Sequence, residues 1–199
     1  MRSKKVSEEV HEDRAVSDGL VYVVDDDLSV RRGLARLLRS VGLAVETFAT
    51  VQAFLEAPPC ERPACLVLDV ILPGTSGLDL PAALDKAERL LPIIFITGHG
   101  DVTMGLRAMK GGAVDFLQKP LNQQELLDSI ERALVTSGRL RAERAARVDI
   151  RQRHARLTPR EREVMDLLVA GRINRCIAEE FGNAEKTVKI HRRSVLDKM

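Results

Sequence analysis

Four apolar runs in this 199-residue chain each lead into a polar residue able to do chemistry. Leu20-Val21-Tyr22-Val23-Val24 runs into Asp25-Asp26-Asp27, and Cys65-Leu66-Val67-Leu68 ends in Asp69, ahead of Val70-Ile71-Leu72-Pro73-Gly74. Ile93-Ile94-Phe95-Ile96 ends in Thr97-Gly98, and Ala113-Val114-Asp115-Phe116-Leu117 ends in Gln118-Lys119-Pro120. Carboxylates crowded at one place repel, and they relieve that repulsion by holding protons or binding a cation. An oxygen-only donor set with no His or Cys beside it suits a hard ion, and Mg2+ (with Mn2+ as the alternative) is the usual one where phosphate chemistry follows. A carboxylate can also accept a phosphoryl group as an aspartyl phosphate. That transfer needs charge neutralisation and in-line positioning more than covalent help. Asp25, Asp26, Asp69, Thr97 and Lys119 would supply the carboxylates, one hydroxyl and one ammonium. Singly, each has a plainer reading: Asp25 to Asp27 as helix caps, Thr97 as a turn hydroxyl, Lys119 as a surface lysine. Their recurrence at four successive strand ends favours the functional reading.

These residues meet only if the runs are parallel strands, whose carboxyl ends share one edge of an open α/β sheet, where ligands bind. Near-continuous apolar runs suit strands buried on both faces. Between them the period changes. Val30, Leu34, Leu37, Leu38 and Val41 recur at helical spacing, with Gly42 as the stop. Ala44 to Phe48 alternates as a short strand, and residues 50–56 read as a short helix ended by Pro58-Pro59. Helices are predicted from Leu78 to Leu90, from an Asp101 cap through Lys110, and from Asn122, whose capping-box-like start has Glu125 three residues on. Five β-α units with short loops make a doubly wound α/β sheet.

Beyond Thr136 the apolar stripe fades. Seven arginines and only two acids, Glu143 and Asp149, occupy residues 139–156, as a solvated helical or partly flexible linker would. Thr158-Pro159-Arg160-Glu161 is then a capping box with Pro at the first helical position. A helix ended by Gly171, a second from Asn174 to Phe181 and a third from Glu185 onward have helix-turn-helix spacing. On the third, Val188, His191, Val195 and Met199 share an inward face, and Lys186, Lys189, Ile190 and Arg193 share the other. Basic side chains there can reach guanine edges or phosphates, and Ile190 a thymine methyl.

Residues 20–135 resemble the receiver domain of bacterial two-component response regulators. The resemblance is carried by Val23-Val24-Asp25-Asp26-Asp27, Leu68 through Gly77, Ile96-Thr97-Gly98-His99-Gly100 and Phe116-Leu117-Gln118-Lys119-Pro120. It implies a flavodoxin-like five-stranded parallel sheet of order 2-1-3-4-5, with Asp69 as the phosphoacceptor. Asp25, Asp26, Asp69 and the backbone carbonyl of Ile71 would hold Mg2+. Thr97 and Lys119 would bind phosphoryl oxygens before a cis proline, and Phe116 would rotate inward as part of the switch. Residues 157–199 resemble the LuxR-type DNA-binding domain, in the branch of the nitrogen-fixation and styrene-response regulators. The matching run is Leu157 to Val164, Ile177-Ala178 and Lys186 to Arg192. This implies major-groove contacts from Lys189, Ile190 and Arg193, with Lys186, Thr187, His191 and Arg192 nearer the backbone. Ala184 departs from the Ser or Thr usual there, unless Asn183 takes over as cap. The family also carries a further helix after this point, so 157–199 reads as lacking its last helix.

Charge agrees with two jobs. Residues 1–138 hold 15 Lys/Arg against 20 Asp/Glu, net −5, and residues 139–199 hold 16 against 9, net +7. The expected organisation is a disordered lead-in over 1–18, a receiver over 19–136, a charged helical linker over 137–156 and a small all-α helix-turn-helix domain over 157–199. Cys60, Cys65 and Cys176 lack metal-ligand spacing, no run approaches a membrane span, and the N-terminus lacks an apolar signal segment. The expected place is the cytoplasm. The expected partners are a sensor histidine kinase, promoter DNA and a second copy of the chain on phosphorylation. Two rivals differ in class. In one, the basic tail binds a protein rather than DNA, and steep salt dependence would exclude it. In the other, Asp25-Asp26-Asp27 begins the Asp-x-Asp pattern of a haloacid-dehalogenase-type phosphatase, which leaves Asp69 unexplained.

Overall fold

A computed structural model describes residues 18–72, 75–77, 80, 84, 89, 91–98 and 102–199. Two compact units divide between Arg141 and Ala142. All of the expected lead-in but Asp18, the cap at Asp101 and most of the helix over 78–90 lie outside the described residues, although Leu80 and Leu84 of that helix are helical and buried.

The first unit holds β1 (Leu20–Val24), α1 (Leu28–Ser40), β2 (Ala44–Phe48), α2 (Val51–Glu56), β3 (Ala64–Asp69), β4 (Ile93–Thr97), α3 (Val102–Lys110) and β5 (Asp115–Gln118). The five strands form one sheet in the order β2-β1-β3-β4-β5, parallel at every pairing. The central strands β1, β3 and β4 are buried along their whole length, which is why they are near-continuously apolar rather than alternating, up to Asp69 and Thr97 at the ends of β3 and β4. The edge strands β2 and β5 are partly exposed and carry polar residues. Successive side chains point to opposite faces. Val21, Val23, Val67, Ile94 and Ile96 pack on one face against α1 and Leu126, Ile130, Ala133 and Leu134. Leu20, Tyr22, Val24, Leu66, Leu68 and Phe95 pack on the other with Phe54, Leu80, Leu84 and Ala108.

Helix α4 runs from Gln123 to Ala155 without a break, starting where Asn122 Oδ1 accepts from the Gln124 and Glu125 N–H groups. Where the apolar stripe fades, Arg, Ala and Glu keep intrinsic helix propensity high, so the backbone stays helical. In the first unit, Ser137 Oγ accepts from the Ala64 N–H at 3.1 Å, and Arg141 donates to the Cys60 and Glu61 carbonyls.

The second unit holds α5 (Pro159–Val169), α6 (Asn174–Phe181) and α7 (Glu185–Lys198) around Val164, Ile177, Ala178 and Val188. Thr158 and Glu161 form the expected capping box. Gly182 ends α6 at φ 61°, a left-handed conformation that favours glycine, and so turns the chain into α7. Ala184 caps α7 without a side-chain hydrogen bond, and none comes from Asn183. Among the described residues, no helix is long and apolar enough to cross a membrane.

Candidate functional site

Because all five strands are parallel, their carboxyl ends share one edge. Val24 delivers Asp25, β3 ends in Asp69, β4 ends in Thr97, and β5 hands on to Lys119. Asp27 caps α1, accepting from the Ser29 and Val30 N–H groups, so the third aspartate is spent on the helix and the first two remain for the edge. Asp25 and Asp69 are buried, as is Thr97, while Asp26 is exposed.

Carboxylate oxygens of Asp25, Asp26 and Asp69 lie within 4.8 Å of one another. Lys119 Nζ donates to Asp25 Oδ2 at 2.7 Å and to Asp69 Oδ2 at 2.6 Å. The second oxygen of each acid is also held: Asp25 Oδ1 accepts from the Asp27 N–H at 2.8 Å, and Asp69 Oδ1 from the Ile71 N–H at 2.9 Å. Two like charges at such a spacing repel by on the order of 3–4 kcal/mol at an effective dielectric of about 20. One ammonium against three carboxylates leaves a formal excess of two negative charges. Burial pushes the Asp25 carboxyl up, against the pull of Lys119. Burial is also the largest single influence on Lys119 and pulls it down, but its two carboxylate partners together outweigh it and hold the ammonium above its ordinary range. An oxygen-only set with that excess charge fits a hard divalent cation such as Mg2+.

The Lys119–Pro120 bond is cis, and the Lys119 N–H donates to the Thr97 carbonyl at 2.8 Å, which ties the ends of β4 and β5 together. Phe116 pairs with Phe95 in the register between β4 and β5, and its ring lies beside Gly105 of α3. Residues beyond those marked in the sequence also shape the edge. Arg31 of α1 donates to the Asp25 carbonyl at 2.5 Å. Gly77 sits so close to the Asp69 backbone that a Cβ there would lie 2.6 Å from its carbonyl oxygen. Only Gly77's place in the motif hinted at this, and Arg31 had no signal beyond its position on α1.

On α7, Val188 and Val195 are buried, whereas Lys186, Lys189, Ile190, Arg192 and Arg193 are exposed and Thr187 and His191 are half-buried. Ile190 is 62% exposed, so its side chain is accessible on the outer face of α7. Glu161 is buried and accepts from the Thr158 N–H, Ser194 Oγ and both-oxygen contacts of Lys198, tying the last turn of α7 to the first of α5. The sequence marks Glu161 only as a capping partner.

Residues 21–131 match the response regulator receiver domain family, and residues 155–199 match the bacterial regulatory proteins of the luxR family. The chain is 46% identical over 185 residues to nodulation protein W of Bradyrhizobium diazoefficiens, covering 93% of this chain and 82% of that protein. It is 41% identical over 181 residues to transcriptional regulatory protein FixJ of the same organism, covering 91% and 88%. Among solved structures, response regulator StyR superposes with a TM-score of 0.81 at 46% identity, covering 91% of each chain. Full-length FixJ from B. japonicum gives a TM-score of 0.58 at 41% identity, over 92% and 90%. The chain therefore belongs to the response regulators that join a receiver domain to a LuxR-type DNA-binding domain, and is a transcriptional response regulator.

Proposed function

We propose that Asp69 is the phosphoacceptor of this regulator and that its phosphorylation by a sensor histidine kinase controls DNA reading by α7. The observation that carries this is the double contact of Lys119 with Asp69 and Asp25 inside a three-carboxylate cluster. An oxygen of Asp69 attacks the phosphorus of a kinase phosphohistidine, and a new P–O bond forms as the P–N bond breaks. The departing imidazole nitrogen keeps the electron pair and takes up a proton. Asp25, Asp26, Asp69 and the Ile71 carbonyl would hold Mg2+, which supplies charge neutralisation at the phosphoryl oxygens. Lys119 is placed to release Asp69 and follow the transferred oxygens, and Thr97 offers a hydroxyl at the adjoining strand end. The new group adds about −1.5 to −2 charges, and movement of Thr97 and Phe116 would pass that change to the surface formed by α3 and β5, where two phosphorylated copies pair.

Lys189, Ile190 and Arg193 are the proposed base readers, with Lys186, Thr187, His191 and Arg192 on the backbone. A chain that joins these parts and lacks a membrane-crossing helix among the described residues fits work in the cytoplasm. Intact mass after incubation with acetyl phosphate and Mg2+ tests the first step. One added phosphoryl group, dependent on Mg2+ and absent in Asp69→Asn, is the expected result. An adduct of equal yield in Asp69→Asn would remove Asp69 from the role.

A further inference from the structure

The C-terminal unit carries a hollow of about 450 Å3 that the reading face of α7 does not use. It is bounded by Arg172 and Ile173 of the α5–α6 turn, Asn174 and Arg175 at the start of α6, and Glu185 and Arg192 of α7. Three guanidiniums face one carboxylate, so the walls carry a positive excess. Arg192 donates to Asn174 Oδ1 at 3.1 Å, which fixes its guanidinium between α7 and α6. Arg175 pairs with Glu179 at 3.2 Å, but both are exposed and such a pair is worth little. Arg172 has no side-chain partner among the described residues. Glu185 pairs with Lys189 at 3.2 Å.

The hollow lies at a defined place relative to the reading face. An α-helix advances about 100° per residue. Arg192 therefore sits about 60° round α7 from Lys189, between it and the buried Val188. A helix seated in a major groove about 12 Å wide points one face at the bases and its flanks at the sugar-phosphate walls. A concave, arginine-lined flank is suited to a phosphate, because the planar guanidinium fork matches two phosphoryl oxygens.

We propose that this hollow seats one backbone phosphate of the duplex whose major groove takes α7, with Arg172 and Arg192 donating to the phosphodiester oxygens. This rests on the DNA-reading role of α7 given above. Arg172, which comes from outside the two helices of the reading motif, becomes a DNA contact that fixes register without reading sequence. Arg175 adds charge, and Glu185 keeps the phosphate to the arginine side.

The test uses the full chain, a duplex selected by it from a random-sequence pool and an unselected duplex of equal length, each titrated over a range of salt. Arg172→Gln should weaken binding to both duplexes by a similar factor, about 3- to 10-fold, and make the slope of log affinity on log salt shallower by about 0.9. Thermal melting should not change, and Arg172→Lys, which keeps the charge but not the fork, should restore the salt slope and recover only part of the affinity. Unchanged affinity and slope in Arg172→Gln, while Arg193→Ala weakens the selected duplex, would overturn the phosphate seat and leave the reading role of α7 standing. Loss on the selected duplex alone would make Arg172 a base reader and also overturn it. If the wild type bound neither duplex at any salt, the reading role itself would fall and the seat with it.

Discussion

Alanine at position 77 should disturb the acidic edge more than its size suggests. A Cβ on Gly77 would stand 2.6 Å from the Asp69 carbonyl oxygen, 3.2 Å from Val70 Cα and 3.3 Å from the Val70 oxygen. Contacts of a Cβ become ordinary only from about 3.4 Å, so about 0.8 Å must be found. All three neighbours are backbone, and no side-chain rotation relieves them. The Gly77 N–H also donates to the Val70 oxygen at 3.0 Å, so moving the two segments apart stretches that bond. Overpacking costs about 1–3 kcal/mol and a weakened hydrogen bond about 1 kcal/mol, giving roughly 2–4 kcal/mol together. At about 2–4 °C per kcal/mol for a chain of this size, Tm should fall by roughly 4–16 °C. The backbone displaced is that of Asp69, so phosphorylation by acetyl phosphate should slow as well. Gly33 is the control: nothing lies within 4 Å of its Cβ position in α1, and Gly33→Ala should stabilise by about 0.5–1 kcal/mol. Thermal unfolding followed by circular dichroism, with phosphorylation rates alongside, checks both. A Gly77→Ala chain with unchanged Tm and unchanged rate would refute the steric reasoning.

Asp25→Asn removes a buried carboxylate whose ionisation burial disfavours, so without Mg2+ the variant should melt above the wild type, and added Mg2+ should raise its Tm less. A lower Tm than wild type would contradict this. Glu161 is held down to about 2, first by Lys198, then by Ser194 and the Thr158 N–H. Its folded-state value lies below its ordinary 4.5, so its contribution is present above about pH 4.5 and is lost as pH falls through about 2. Denaturant melts of the C-terminal unit over that window should show the loss in wild type and a flatter profile in Glu161→Gln. Ala184→Ser supplies the side-chain cap that α7 lacks and should add about 0.5–1 kcal/mol, read as a higher denaturation midpoint; no gain would mean the α7 N-terminus is satisfied in another way.

The fold was legible where burial dictates composition. Residues 20–24, 64–68 and 93–96 are apolar because both faces of a parallel sheet are covered, and the strands fall there. The start of β5 was less legible. Residues 113–117 read as strand and the strand runs Asp115–Gln118, yet the Val114 N–H still bonds the Ile93 carbonyl just outside it. The continuity of α4 was hidden, since a helix held by backbone propensity rather than by an apolar face leaves no periodic trace. At the acidic edge, Asp25, Asp69 and Lys119 announce themselves as chemical groups at strand ends. Arg31 and Gly77 act through space on the backbone of Asp25 and Asp69, and neither contact has a sequence period. The same holds for Glu161, whose partners Ser194 and Lys198 lie 33 and 37 residues away.

Chemistry at Asp69 and reading by α7 are linked most directly in one titration. The full chain with Mg2+ would be titrated against a labelled selected duplex before and after acetyl phosphate, with Asp69→Asn in parallel and the phosphoryl adduct verified by mass. The expected result is a change in duplex affinity on phosphorylation of the wild type and none in Asp69→Asn. A wild type that carries the phosphoryl group yet binds the duplex unchanged, or an Asp69→Asn chain that responds equally, would contradict control of α7 by Asp69.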